Sequence, residues 1–219
     1  ICTNWYVFIA TVNGGHVVEA SLGYYINPLV NVALATMFLK ERLSRAEIVS
    51  FLLAMSGVLM ITHHYGRVPW AAIFLALTFA FYGLIKKIVP VGEWTGLTIE
   101  TMLIAPFASL YLAFQGNAFI TDGVQTSLFL MGAGAATAVP LLLFAAGAKR
   151  ISFSFIGFLQ YIAPTIMFLL GVFLFREPFS RVQLFSFILI WIGLAIFTIS
   201  HSKGAFSKRK PHVAHTVHK

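Results

Sequence analysis

The residues able to do chemistry in this 219-residue chain are few, and most carry no charge. Amide and phenol groups recur: Asn4 beside Trp5, then Tyr24, Tyr25, Asn27 and Asn31, and later Gln160 and Tyr161. Such groups exchange hydrogen bonds with a ligand, and without formal charge they suit a neutral or amphipathic one. Two glutamates, Glu19 and Glu100, sit near the ends of apolar stretches. A carboxylate partly withdrawn from water has a raised pKa and can take up a proton, so each is a candidate for proton coupling. The plainer reading is an interfacial carboxylate paired with a backbone group or a nearby base. Catalytic constellations are missing. Asp122 is the only aspartate, so an aspartyl dyad cannot form, and Ser56, Gly57, His63 and His64 share one helical stretch, where nucleophile and base cannot converge. Cys2 is the only cysteine, which excludes intrachain disulfides and cysteine metal sites. His212, His215 and His218 recur every three residues with no acidic or cysteine companion, and read as solvated tail. Neither an enzyme, a metal site nor a cofactor is expected.

The elements that must position these groups are set by composition. The chain is 59% hydrophobic and 10% charged, with a mean hydropathy of +0.87. Soluble domains carry about 25% charged residues, and a chain this size cannot hide so much apolar surface from water. It needs a lipid bilayer as solvent. Spans of about 20 apolar residues are expected near 20–39, 47–63, 70–85, 97–114, 127–147, 153–175 and 182–200, with residues 1–12 too short to cross alone. The runs are continuous rather than alternating, which excludes a membrane β-barrel. The fold class is an all-α polytopic membrane protein.

The net charge of +8 sorts by side. Threading the spans puts Lys40, Arg42, Arg45, Lys86, Lys87, Lys149, Arg150, Lys203, Lys208, Arg209, Lys210 and Lys219 on one face, against Arg67, Arg176 and Arg181 on the other. Cytoplasmic loops are the basic ones, so the first face and the C-terminus are expected inside a bacterial inner membrane. The basic charge is then a topology signal, and no nucleic-acid partner is expected.

The chain also repeats itself. Tyr25 pairs with Tyr161, Ile26 with Ile162, Pro28 with Pro164, Glu41 with Glu177, Ser44 with Ser180 and Arg45 with Arg181, all at one offset of 136 residues. The register holds through Ser50/Ser186, Phe51/Phe187, Gly57/Gly193 and Thr62/Thr198. Five spans separate the equivalent glutamates, an odd number, so the copies run in opposite directions through the membrane. That is an inverted-topology repeat, the architecture of alternating-access carriers. Residues 1–64 form the later part of the first copy, 69–200 the second, and 201–219 a disordered basic tail near anionic lipid. Ile1 aligns with Thr137 in mid-span, so about two and a half helices of a five-helix unit are expected to precede it.

Pro28 and Pro164 lie early in their spans and cannot donate to the carbonyls of Tyr24 and Gln160. In hydrocarbon such carbonyls survive only where protein or a wet cavity satisfies them. The symmetric pair is read as two kinks lining one central pathway, with Asn4, Trp5, Tyr24, Tyr25, Asn27, Asn31, Gln160 and Tyr161 around it. Packing kinks and interhelical hydrogen-bond glue are the alternatives.

The motifs "FLKERLS" and "LFREPFS", each after a central proline and before a span with a late glycine ("LAMSGVLMI", "IWIGLAIF"), resemble the EamA domain. That domain occurs in tandem in the drug/metabolite transporter superfamily. "NWYVFIATVNGGHVVEASLGYYINPLVNVAL" and "TGLTIETMLIAPFASLYL" are similar to its RarD branch. The resemblance implies a ten-helix inner-membrane permease for a small organic molecule, with homodimerisation left open. A non-transporting receptor or assembly protein on the same fold is the alternative.

Overall fold

The computed structural model describes the whole chain except residues 67, 116–122, 175–179 and 208–219. Asp122, Arg67, Arg176, Glu177 and the histidines at 212, 215 and 218 therefore lie outside the described residues. The helices are α1 (Cys2–Asn13), α2 (Val17–Phe38), α3 (Arg45–Tyr65), α4 (Trp70–Ile88), α5 (Glu93–Gln115), α6 (Gly123–Arg150), α7 (Phe153–Gln160), α8 (Ile162–Phe173) and α9 (Arg181–Ser207). Each expected span is helical across most of its described residues, 153–175 as two helices parted at Tyr161, and α9 continues seven residues into the segment expected to be tail. Six segments are long and apolar enough to cross a membrane: 45–65, 70–88, 93–114, 123–150, 153–170 and 181–201. The 22-residue α2 is not among them, because Glu19, Tyr24, Tyr25, Asn27, Pro28 and Asn31 dilute its apolar run.

Local sequence explains the boundaries. Ser44 opens α3 with a capping box: its hydroxyl accepts from Glu47 N at 3.3 Å, and its own N–H donates to Glu47 Oε2 at 2.6 Å. The repeat partner Ser180 opens α9 the same way with Gln183, at 3.1 and 2.8 Å. A box satisfies two of the helix's orphan donors, which is why both copies keep it. Gly66 ends α3 at φ 80°, a conformation that costs glycine least.

Packing reveals the relation between the copies. The most extensive helix pair is α3 with α9. A Cβ on Gly57 would stand 2.6 Å from the carbonyl oxygen of Ser186, and one on Gly193 would stand 2.8 Å from that of Ser50. Gly57 and Gly193 are repeat equivalents, as are Ser50 and Ser186. Each copy's glycine thus receives the other copy's serine backbone, the reciprocal pattern of a two-fold axis with the helices antiparallel. Small residues at such crossings let backbones meet, which is what holds helices together in lipid. The repeat equivalents α2 and α7 also pack on each other, and a Cβ on Gly157 would lie 2.8 Å from the carbonyl of Pro28. Tyr161, Ala54, Val58 and Ile190 form a buried cluster beneath this crossing, joined by Tyr25. This exchange of partners between equivalents is what an inverted repeat requires.

The copies differ at their prolines. Pro28 sits inside an unbroken α2, whereas the second copy leaves the helix at Tyr161, so that α7 and α8 are separate. Tyr161 N–H turns back to Phe158 O, and Thr165 offers both its N–H and hydroxyl to Tyr161 O. One turn before the break the second copy has Gly157 where the first has Ser21.

Candidate functional site

A cavity of about 450 Å³ opens between α1, α2, α4, α6 and the α7–α8 break. Its wall carries Asn4, Trp5 and Phe8 from α1; Ala20, Gly23, Tyr24 and Asn27 from α2; Leu75 and Phe79 from α4; Ala136, Thr137, Pro140, Leu141 and Phe144 from α6; and Gln160 and Ala163 at the break. Five pairs of repeat equivalents line it: Asn4 and Pro140, Trp5 and Leu141, Phe8 and Phe144, Tyr24 and Gln160, Asn27 and Ala163. The cavity therefore lies on the pseudo-two-fold axis. In two of these pairs, Asn4/Pro140 and Asn27/Ala163, the first copy contributes the polar member and the second an apolar one.

Aromatic rings line it. Trp5 and Phe8 meet edge to face at 6.0 Å, Phe8 and Tyr24 at 6.1 Å, and Phe79 tilts against Phe144 at 5.2 Å. No side chain in the wall bears a formal charge at neutral pH. Of the ten residues expected around the pathway, Asn4, Trp5, Tyr24, Asn27 and Gln160 line the cavity, and Tyr25, Pro28, Asn31, Tyr161 and Pro164 do not. Pro28 and Pro164 are fully buried, and Tyr25 stacks edge to face on Phe187 at 5.5 Å, behind the wall.

Two of the wall amides are fixed by the protein. Asn4 Nδ2 donates to Leu75 O and to Thr78 Oγ1, both at 2.8 Å, which ties α1 to α4. Gln160 Oε1 accepts from Asn27 Nδ2 at 2.8 Å and also from Asn31 Nδ2. Asn31 is completely buried and Asn27 is 9% exposed. Their own Oδ1 atoms have no hydrogen-bond partner among the described residues. An unsatisfied buried acceptor costs about 1–3 kcal/mol, and such exceptions cluster where function requires them.

The charged groups lie outside the cavity. Glu19, in the first turn of α2, accepts from Tyr65 Oη and from Ala71 N, both at 3.0 Å. Glu100 pairs with the buried Lys86 at 2.6 Å. Glu41, the repeat partner of Glu177, reaches the second copy. It accepts from Phe153 N at 2.8 Å, Ser154 N at 3.0 Å and Ser154 Oγ at 2.7 Å, at the start of α7. Burial pushes its carboxyl up, but these hydrogen bonds and the charge of Lys87 prevail and hold it below the usual glutamate range. Lys87 donates to Ala148 O at 2.9 Å and Ile151 O at 2.6 Å, and Lys149 donates to Val91 O. The loops at 39–44, 89–92 and 151–152, and most of the described lysines and arginines, thus meet at one end of the molecule.

Sequence reasoning missed Phe8, Gly23, Leu75, Phe79 and most of the α6 wall. Part of it was within reach: Phe8 follows Asn4 and Gly23 precedes Asn27 by one helical turn, hence on one face. The offset of 136 then carries Phe8 onto Phe144. Leu75 and Phe79 had no such pointer.

Comparison with known proteins agrees with this architecture. The model of the EamA-like transporter family matches residues 68–199. An uncharacterized transporter, YojE of Bacillus subtilis, is 48% identical over 205 residues, covering 93% of this chain and 69% of the relative. Protein RarD of Escherichia coli is 44% identical over 200 residues, 90% of this chain and 68% of the relative. Protein RarD of Streptomyces exfoliatus is 44% identical over 202 residues, with 90% and 64% covered. No solved structure matches the chain. With a family match over most of its second copy and relatives that align across nearly all of it, this multi-pass membrane protein belongs to the EamA-like transporter family.

Proposed function

We propose that the chain is a secondary carrier for an uncharged or amphipathic small organic solute, working by alternating access between its inverted copies. The observation that carries this reading is the cavity on the pseudo-two-fold axis, walled by repeat-equivalent residues. A site at that position can be exposed to either membrane face by rocking one copy against the other, without moving the site itself. Its aromatic and amide wall suits a flat apolar body with a polar edge. The end carrying Lys40, Arg42, Arg45, Lys87 and Lys149 faces the cytoplasm of a bacterial inner membrane, by the basic-loop rule. Proton coupling by Glu19 or Glu100 acts from outside the cavity, through α4. Glu19 bonds the start of that helix and Glu100 its end, while Leu75 and Phe79 between them form wall.

The test is flux in sealed proteoliposomes, using solutes that accumulate in cells lacking the complete gene. Ala163 is exposed and lines the cavity, so Ala163→Trp fills the space without disturbing buried packing. Saturable flux that is lost in Ala163→Trp and in Asn27→Ala supports the carrier. Binding without flux favours a receptor on the same fold. Flux indifferent to Ala163→Trp removes the cavity from the pathway.

A further inference from the structure

Resting on the carrier reading, we infer that the cavity reads its solute through two half-committed amides. It thereby selects an uncharged aromatic compound with a hydrogen-bond acceptor for Gln160 and a donor for Asn4. A primary or secondary amide on an aromatic ring is the simplest chemistry that offers both.

The inference comes from what each amide has left to give. Gln160 spends its Oε1 on two N–H groups, those of Asn27 and Asn31. Its Nε2 has no partner among the described residues and is not sealed from solvent, and the residue lines the cavity. Gln160 therefore faces the cavity as a donor only. Asn4 is the mirror case. Its Nδ2 is taken by the carbonyl of Leu75 and the hydroxyl of Thr78, and its Oδ1 remains an open acceptor. The carbonyl of Leu75 can only accept, which fixes Asn4 with its nitrogen toward α4; Gln160 is held by the Nδ2 groups of two buried asparagines, and with those amides so oriented its Nε2 is the end left to the cavity. Asn31 touches no part of the cavity and is a positioning residue: it doubles the grip on Oε1 and so fixes which end of Gln160 faces the solute.

The rest of the wall supplies the selection against charge. Trp5, Phe8, Tyr24, Phe79 and Phe144 offer ring faces and edges, and Pro140, Leu141 and Ala163 are apolar members of the same wall. The carboxylates of Glu19, Glu41 and Glu100 are engaged elsewhere, so neither a cation nor an anion finds a counter-charge in the wall. A charge entering such a site loses hydration without compensation.

The experiment uses the protein in lipid nanodiscs and three ring compounds of similar size: acetanilide (neutral amide), phenethylamine (cation) and benzoate (anion). Binding is read from Trp5 emission, with Trp5→Phe as the control that removes the signal. The parent protein is expected to bind acetanilide at least tenfold more tightly than either ion. Gln160→Glu keeps an oxygen for Asn27 and Asn31 but turns the free end from donor to acceptor. It should weaken acetanilide about tenfold or more and bring phenethylamine to parity or better, since a polar site rejects a ligand that leaves its groups mismatched. Asn31→Ala should narrow the preference of acetanilide over phenethylamine while Trp5 still reports binding, a change that a purely structural role would not produce. No preference for the neutral amide, or an unchanged ranking in Gln160→Glu, overturns the inference. Failure of the underlying site is distinguishable: then Ala163→Trp would leave acetanilide binding intact. Loss of binding in Ala163→Trp with an unchanged Gln160→Glu ranking refutes the amide reading alone.

Discussion

Glu41 offers the sharpest mutational test, because one side chain joins the two copies. Its carboxylate receives three hydrogen bonds from Phe153 and Ser154, where the first turn of α7 presents its unpaired N–H groups. Hydrogen bonds to a charged acceptor are each worth about 1.5–3 kcal/mol when buried, and an acid at a helix N-terminus adds about 0.3–1 kcal/mol. Glu41 is partly open to solvent, and water takes over some of what is lost. Glu41→Ala should therefore cost about 2–3 kcal/mol, and Glu41→Gln, which keeps one oxygen for two of the three donors, about 1 kcal/mol. At about 2–4 °C per kcal/mol for a chain of this size, the midpoints fall by about 4–12 °C and 2–4 °C. The pH dependence has a definite sign. The folded carboxyl titrates below the ordinary value of 4.5, so its stabilisation is present above that pH and fades as pH falls through the folded value. Melting of detergent-solubilised protein, followed by tryptophan emission at pH 7 and again near pH 3.5, should show the gap between parent and Glu41→Ala closing on acidification. Both variants melting within a degree of the parent at pH 7, or a gap indifferent to pH, would refute the reasoning.

Gly57→Ala and Gly193→Ala each push a methyl to within 2.6–2.8 Å of a serine carbonyl, so each should destabilise by about 1–3 kcal/mol, and by similar amounts, as their exchanged roles require. Unequal costs in thermal melts, one large and one near zero, would contradict the reciprocal packing. Glu100→Gln breaks the ion pair with Lys86, and Glu19→Gln weakens the hold on the start of α4. If either glutamate couples flux to protons, its variant should abolish acid-gradient-driven transport in vesicles while leaving exchange of labelled for unlabelled solute. Both retaining gradient-driven flux would exclude the pair.

Much of this architecture was legible before any coordinate. Lipid demands continuous apolar helices, so composition and span length alone placed all seven long helical segments. The offset of 136 between Tyr25 and Tyr161 carried the inversion, and the structure displays it as exchanged glycine–serine contacts. The site was legible only in part, because periodicity says which residues are buried but not on which side of a helix the cavity lies. Asn27 and Asn31 share a face, yet Asn27 reaches the wall and Asn31 stops behind it, where it holds Gln160. The prolines misled in a similar way: their shared position suggested two equal kinks, but the helix breaks only in the second copy, at Tyr161. Glu41 was hidden for another reason. Its partners are 112 and 113 residues away, and no local spacing connects them.

The measurement closest to the central claim is the sidedness of repeat-equivalent positions. Arg45 and Arg181 are both exposed at the starts of α3 and α9 and correspond at the offset of 136. In a Cys2→Ser background, Arg45→Cys and Arg181→Cys would each be probed with a membrane-impermeant maleimide, on intact cells and on inside-out vesicles. The account predicts that Arg181→Cys reacts on intact cells and Arg45→Cys reacts only in inverted vesicles. Both reacting from the same compartment would contradict opposed copies, and with them the axis on which the cavity stands.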